Sequence, residues 1–329
     1  MAFSTQIKYS PKQVVPAFSV LGLLALSFIF ATNWPQIKDL LLNSCYMFFG
    51  EDNCSGNIKK LGSAYVWTLL YLPIALIAEL LIRAKKDQPI ISVGFIHDFG
   101  WWLLLVPYSL FILAPFIVFL TFLSDTYVPF LRLDTISELP VIAQVIIVLL
   151  AADFLMWFSH MVRHKVPFFW KFHALHHSSE QLNFFTYVRV HPVDMLFAAL
   201  IRFVPFTFLT LDVAIPSYFA LELLKGASAR LVHTNARTNL GPLRYIFVTP
   251  QSHRIHHSPV KQHHDLNYGV IFTFWDFMFG TQWKGWDDYP DTGIKEASYP
   301  FERSKSPKKI LVTIWKQFWD PFFRKSPDF

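Results

Sequence analysis

"VIIVLLAADFLMWFSHMVRHK", residues 145–165, is the stretch on which the reading of this chain turns. Its apolar part carries one charge, Asp153, and runs without a break into His160 and His164. Residues four apart on a helix lie one turn above each other, so HxxxH aims two imidazoles at one volume. Traced backward, the apolar stretch begins at Leu139, which gives the roughly 20 residues a helix needs to cross about 30 Å of hydrocarbon. The pattern is a membrane span with a ligand-bearing last turn.

Other blocks of the same kind lie upstream. Gln13 to Ile37 and Phe99 to Ser124 contain no charged side chain, and Leu61 to Ile82 contains only Glu79. Hydrophobic residues make up 53% of the 329 and charged residues 16%, against about 25% charged in soluble domains. A fifth stretch, Val193 to Leu224, is interrupted by Asp194, Arg202, Pro205, Asp212, Pro216 and Glu222. Each proline removes a backbone hydrogen bond, so two short helices or a re-entrant hairpin fit better than one straight span. The expected fold is therefore an all-α integral membrane protein. It has about four transmembrane helices, a re-entrant or paired short-helix hairpin, and a helical histidine-rich domain.

Basic residues orient it. Lys8, Lys12, Arg83, Lys85, Lys86, Arg163, Lys165 and Lys171 fall on one side; Lys38, Lys59, Lys60 and Arg132 fall on the other. This places the amino terminus and the histidines in the cytoplasm, with the chain in a bacterial inner membrane or, in a eukaryote, the endoplasmic reticulum. No small-residue cleavage site follows the first block, which reads as an uncleaved anchor. Cys45 and Cys54 share the predicted outer loop, as a pair or as two separate thiols, and Asn53 to Ser55 fits a glycosylation acceptor. The net charge of +6 suits anionic lipid; nothing points to nucleic acid, and nothing in the sequence speaks to oligomeric state. Three regions are expected: membrane-spanning 1–139, catalytic 140–284 and a basic, aromatic tail 285–329. In the tail, Ile310, Leu311, Ile314, Trp315, Phe318 and Trp319 share one side of a helix, which fits either the bilayer interface or the protein's own surface.

Eight of the 13 histidines fall in three five-residue windows: His160 and His164; His173, His176 and His177; His253, His256 and His257. Crowded imidazoles repel once more than one is protonated. A bound cation removes the conflict by committing their lone pairs. Eight donors exceed the coordination of one ion, so two metals are implied, and imidazole suits iron, copper, nickel and zinc. Asp153, Trp157, His160 and His164 share a stripe, which makes Asp153 a candidate for orienting a ligand histidine.

The order HxxxH, HxxHH, HxxHH after a span resembles the fatty acid hydroxylase/sterol desaturase superfamily. So do "RVHP" at 189–192, "VHTNARTNLGPL" at 232–243, "FVTPQSHRIHHS" at 247–258 and "NYGVIFTFWDFMFGT" at 267–281. These strings are most similar to its bacterial sterol-desaturase-like and alkylglycerol monooxygenase branches. The resemblance implies that the eight histidines ligate two irons. It implies a ninth ligand in His233, with His191 as the competitor, and a catalytic unit supported by Asp153, Asn235 and Asp276. Asp265 and Asn267 are further candidates for supporting groups. It also implies O2-dependent hydroxylation or desaturation of an unactivated C–H bond in a fatty acyl, sterol or ether lipid.

Two cysteines cannot hold an iron–sulfur cluster, and no flavin or haem motif is visible. Electrons must then come from a partner such as a reductase, cytochrome or ferredoxin, or from a reduced pterin. The competing readings are a zinc-dependent membrane hydrolase, disfavoured by the lack of HExxH, and a metal transporter or sensor. A transporter would place its ligands mid-membrane on broken helices, whereas these histidines lie outside the apolar blocks.

Overall fold

The computed structural model describes residues 71–131, 138–207, 215–295 and 298–324. The first apolar block, Cys45, Cys54 and the Asn53 acceptor lie outside them, as do residues 61–70 of the second block. Among the described residues the fold is helical, and strand geometry is confined to two isolated bridges, Arg83 with Ala236 and Phe247 with Phe272. Helix α1 is Tyr71–Leu81, α2 Val93–Tyr108, α3 Ala114–Tyr127, α4 Val141–Lys165 and α5 Pro167–His177. There follow α6 Pro192–Thr207, α7 Ile215–Leu231, α8 Pro250–His256, α9 Phe274–Met278 and α10 Pro307–Phe323.

Among the described residues, two helical stretches are long and apolar enough to cross a membrane: Val93–Ser124, which joins α2 to most of α3, and Val141–Lys165. Ser92 starts the first by accepting the Phe95 N–H on its hydroxyl, satisfying one of the unpaired donors of the opening turn. A π turn, Ser109–Leu113, sits between Pro107 and Pro115. Neither proline can donate a backbone N–H, and the wider turn takes up the break in the ladder. The fifth apolar stretch divides into α6 and α7. Pro216 stands in the first turn of α7, where its missing N–H costs nothing, and the link between the two helices lies outside the described residues.

Helix α4 is the hub, packed against α5, α6 and α7. Helix α10 returns across α2, with Ile310 and Ile314 joining Trp101 and Leu105 in one apolar cluster. Gly100 permits this approach: a Cβ there would stand 3.0 Å from the Ile314 Cδ1. Trp101 donates its indole N–H to Gln317 Oε1 at 3.0 Å, and Gln317 in turn donates to the Pro300 carbonyl.

A buried ion network ties these parts together. Arg189 is 0% exposed. It donates to Asp98 Oδ1 (3.1 Å) on α2, to both carboxylate oxygens of Glu302 (2.8 and 2.7 Å), to Ser178 Oγ (2.8 Å) and to the Leu175 carbonyl (3.2 Å). One guanidinium thus fixes α2, the end of α5 and the segment leading into α10. Removing one member of a buried ion network leaves charge uncompensated in low dielectric. Glu302→Ala is expected to destabilise the protein by about 3–5 kcal/mol, read as a lowered denaturation midpoint in detergent solution.

Candidate metal centre

Helices α4, α5 and α8 present eight of the nine histidines, and His233 follows the end of α7. Helix α5 opens with Pro167 at its first position, where proline is preorganised. Helix α8 opens with a reciprocal cap: Thr249 Oγ1 accepts the Ser252 N–H at 3.0 Å and Ser252 Oγ accepts the Thr249 N–H at 3.0 Å. That cap holds a seven-residue helix carrying His253 and His256, with His257 at its end. The last turns of α4 supply His160 and His164.

The nine histidines form two adjoining groups. His160, His164, His173, His177 and His256 make one; His176, His233, His253 and His257 make the other. All are buried, and within each group one ring nitrogen per residue lies within 4.8 Å of all the others. Both HxxHH windows divide between the groups. The i,i+4 pairs His173/His177 and His253/His257 stay together, and the residue between them, His176 or His256, crosses over. His177 and His257 stack at the seam, ring centroids 4.3 Å apart.

The outer nitrogens decide the tautomers. His160, His176, His233 and His256 direct Nδ1 at the carbonyls of Tyr268 (2.9 Å), Arg189 (3.3 Å), Ala229 (2.6 Å) and Leu266 (2.8 Å). A carbonyl only accepts, so each Nδ1 carries the proton and each Nε2 is left with a bare lone pair. Yet His160 and His256 meet Nε2 to Nε2 at 3.0 Å, and His176 and His233 at 3.2 Å. Two lone pairs at that distance repel unless a cation lies within reach of both. Nε2 of His164, His173 and His177 is buried without a hydrogen-bond partner. An all-imidazole donor set with orphaned, inward nitrogens fits a pair of transition metals.

His191, the competitor for the ninth position, lies elsewhere. Its Nδ1 accepts the Val193 N–H at 3.1 Å and its Nε2 donates to the Phe318 carbonyl at 2.9 Å. Both nitrogens are committed to holding α6 and α10. His263 packs edge-on against Trp283, and His264 is exposed.

Asp153, Asn235 and Asp276 have no hydrogen bond to a cluster histidine among the described residues. Asp153 accepts the Ile271 N–H (2.9 Å), the Phe272 N–H (3.2 Å) and the Trp275 indole N–H (3.0 Å). Asp276 gathers the Trp157 indole, the Tyr268 and Gly269 N–H groups and the Thr281 hydroxyl. The two carboxylates fasten the 268–281 loop to α4, and that loop brings the Tyr268 carbonyl to His160. Orientation is thus exerted through the backbone rather than side chain to side chain. A Cβ on Gly269 would stand 2.9 Å from Asp276 Oδ2 and 2.8 Å from Val248 Cγ2, so only glycine fits this loop.

Asn235 bonds both backbone groups of Lys85 and accepts from Arg254 at 3.0 Å, fixing α8 against the segment after α1. Asn267, at φ 57°, spans Ser252 and Trp283 with its amide. Asp265, at φ 62°, pairs with Lys165 and accepts the Tyr268 hydroxyl.

Three contributors escape a reading of the sequence. Asp194 Oδ2 takes the Nδ1–H of His173 at 3.0 Å and pairs with Arg163 at 3.1 Å. Tyr268 sets its buried ring against His160, His164 and His256 and lends the carbonyl that orients His160. Arg189 does the same for His176 from inside its ion network. Asp194 did leave a trace, as the acidic residue in the first turn of a helix whose one other charged residue is Arg202.

Comparison with known proteins agrees with this geometry. Residues 145–281 match the family model for fatty acid hydroxylase. This stretch is a fatty acid hydroxylase domain. The chain is 31% identical over 184 residues to alkylglycerol monooxygenase of Homo sapiens, which is 54% of this chain and 39% of that protein. It is 34% identical over 145 residues to the ornithine lipid hydroxylase OlsE of Rhizobium tropici, 44% of this chain and 43% of that protein. The likeness therefore spans less than half of either relative's length. No solved structure matches the chain. The hydroxylase domain contains all nine clustered histidines, while Asp98 and Glu302, which hold Arg189, lie outside it.

Burial and mutual repulsion keep the clustered histidines neutral. Desolvation, the largest cause, lowers His233 from its ordinary 6.5 to about 4 and His256 to about 3. Burial followed by neighbouring histidines lowers His176, His177, His253 and His257 well below 6.5. The unfolded chain then binds more protons than the folded one below about pH 6.5, so stability falls with falling pH. Metal-stripped protein is expected to keep a constant melting temperature above pH 7 and to lose it progressively between about pH 6.5 and 4. Asp194→Asn removes the carboxylate behind His173. Metal affinity should drop by about 10–100-fold, measured by competition with a chelator.

Proposed function

We propose that the chain is a membrane-bound di-iron oxygenase that hydroxylates an unactivated C–H bond of a lipid, using O2 and electrons from outside. The observation that carries this reading is the pair of adjoining all-histidine groups with inward, proton-free nitrogens, set where an apolar helix ends. Two irons bound there would supply the activation of O2. The remaining work falls to the chain's own residues. Four carbonyls and Asp194 hold the Nδ1 protons of five of the nine rings outward, and the grouping would set five rings around one ion and four around the other. Tyr268, fully buried, and Trp170, half-buried with its ring 5.1 Å from His164 and 5.3 Å from His177, shield the first group. A dry, apolar surround strengthens electrostatics inside the site and restricts side reactions.

The names of the relatives favour hydroxylation over desaturation, and a lipid that joins an apolar chain to a polar head over a free hydrocarbon. Such a substrate would slide in laterally, its chain along the membrane-facing helices and its head at the level of the histidines. Basic residues flanking the apolar blocks support a cytoplasmic position for the histidines. With two cysteines in the whole chain, the electrons would come from a separate reductase, cytochrome or ferredoxin, or from a reduced pterin.

Protein purified from iron-supplied cells should carry about two irons per chain, and His176→Ala should lose iron with no change in helical content. Zinc alone, with no iron-dependent product, would remove this reading. Lipids extracted from expressing cells under ¹⁸O2 should contain a species with one added ¹⁸O that is missing from the variant. A species lighter by two hydrogens would instead indicate desaturation.

A further inference from the structure

The surface of α10 points to a second contact with the bilayer, separate from the spans. Successive residues turn by about 100°, and this divides the helix into three stripes. Ile310, Ile314, Gln317 and Pro321 fall within about 60° of one another, and all four are buried against the protein. Leu311, Trp315 and Phe322 form a second stripe, about a third of a turn away. There Leu311 is 65%, Trp315 64% and Phe322 50% exposed. The third stripe holds Lys309, Thr313, Lys316 and Asp320.

A helix that simply covered its own protein would show polar residues over the whole of its outer surface. Here half of that surface is apolar and aromatic. The other half is basic, because Asp320 is neutralised by Arg324 at 2.9 Å while Lys309 and Lys316 remain exposed. Lys305 and Lys308 add to the basic end. Helix α2, on which α10 packs, also exposes Leu103 and Leu104, within one of the two described helices able to span.

We infer that α10 lies in the plane of the membrane surface and docks on anionic lipid, with Leu311, Trp315 and Phe322 in the acyl boundary and Lys309 and Lys316 among the headgroups. Charge complementarity selects an anionic leaflet, and the indole rings suit the interface. The helix also bears on the candidate metal centre. Phe318 offers its carbonyl to His191, and Phe322 packs edge-on against Phe172, beside His173. Anchoring α10 therefore fixes the height of the histidines relative to the lipid headgroups.

The test is a nitroxide scan of the full chain with Cys45→Ser and Cys54→Ser. Single cysteines are introduced at 309, 311, 315, 316 and 322, and the protein is reconstituted in phosphatidylcholine vesicles with and without phosphatidylglycerol. Labels at 311, 315 and 322 should collide with O2 and be shielded from a water-soluble nickel chelate, with the reverse at 309 and 316. Phosphatidylglycerol should deepen the first set, and Lys309→Gln with Lys316→Gln should abolish that deepening. Access of nickel to all five positions would overturn the inference. So would shielding from both reagents at 311 and 315, which would mean a second copy or another protein covers the stripe. Metal content of each labelled sample, read in parallel, separates failure of this inference from failure of the di-iron reading.

Discussion

Lone pairs that face one another at about 3 Å are the constraint around which the described structure is organised. For His160, His176, His233 and His256 the carbonyls of Tyr268, Arg189, Ala229 and Leu266 hold the ring protons on the far side, so these four cannot relieve one another. The fold thus maintains an arrangement that is unfavourable by itself and becomes favourable only around positive charge. Much of the remaining architecture serves to keep it from relaxing. The capped turn of α8, the Asp153 and Asp276 anchors of the 268–281 loop and the Arg189 network each close off a direction in which a ring could swing away.

This explains why the surrounding polar residues are buried and fully engaged. Asp276 takes four hydrogen bonds and Asp153 takes three, both within a region rich in aromatic rings. Such carboxylates contribute little through charge alone. They define the path of the backbone, and the backbone defines where the carbonyls stand. The rigidity of the centre is therefore distributed among groups outside the two histidine clusters.

The histidines were legible in the sequence because helical spacing alone determines which rings share a face, and a window such as HxxHH carries that information within one turn. The apolar blocks were legible for a similar reason, since length and lack of charge are local properties. The division of each HxxHH window between two groups was not, because it depends on α5 and α8 meeting face to face. Nor were the carbonyl partners, which every residue possesses and no side chain announces. Asp153 shows the limit well: its position on the stripe with His160 was visible, but its partners lie about 120 residues away, in a loop whose path only the fold reveals. In the tail, α10 packs on the protein with one stripe and leaves another outward, so one of the two alternatives is visible in its contacts.

The Arg189 network has a bearing on how this machinery can be moved between proteins. The stretch that matches the family begins at 145 and ends at 281, yet the guanidinium behind His176 is held by carboxylates from positions 98 and 302. A recombinant cassette cut at the homology boundaries would carry all of the rings and leave a bare cation buried beneath one of them. Chimaeras between relatives would have to exchange both flanking acids along with the core, and natural shuffling of the matched segment alone would meet the same barrier.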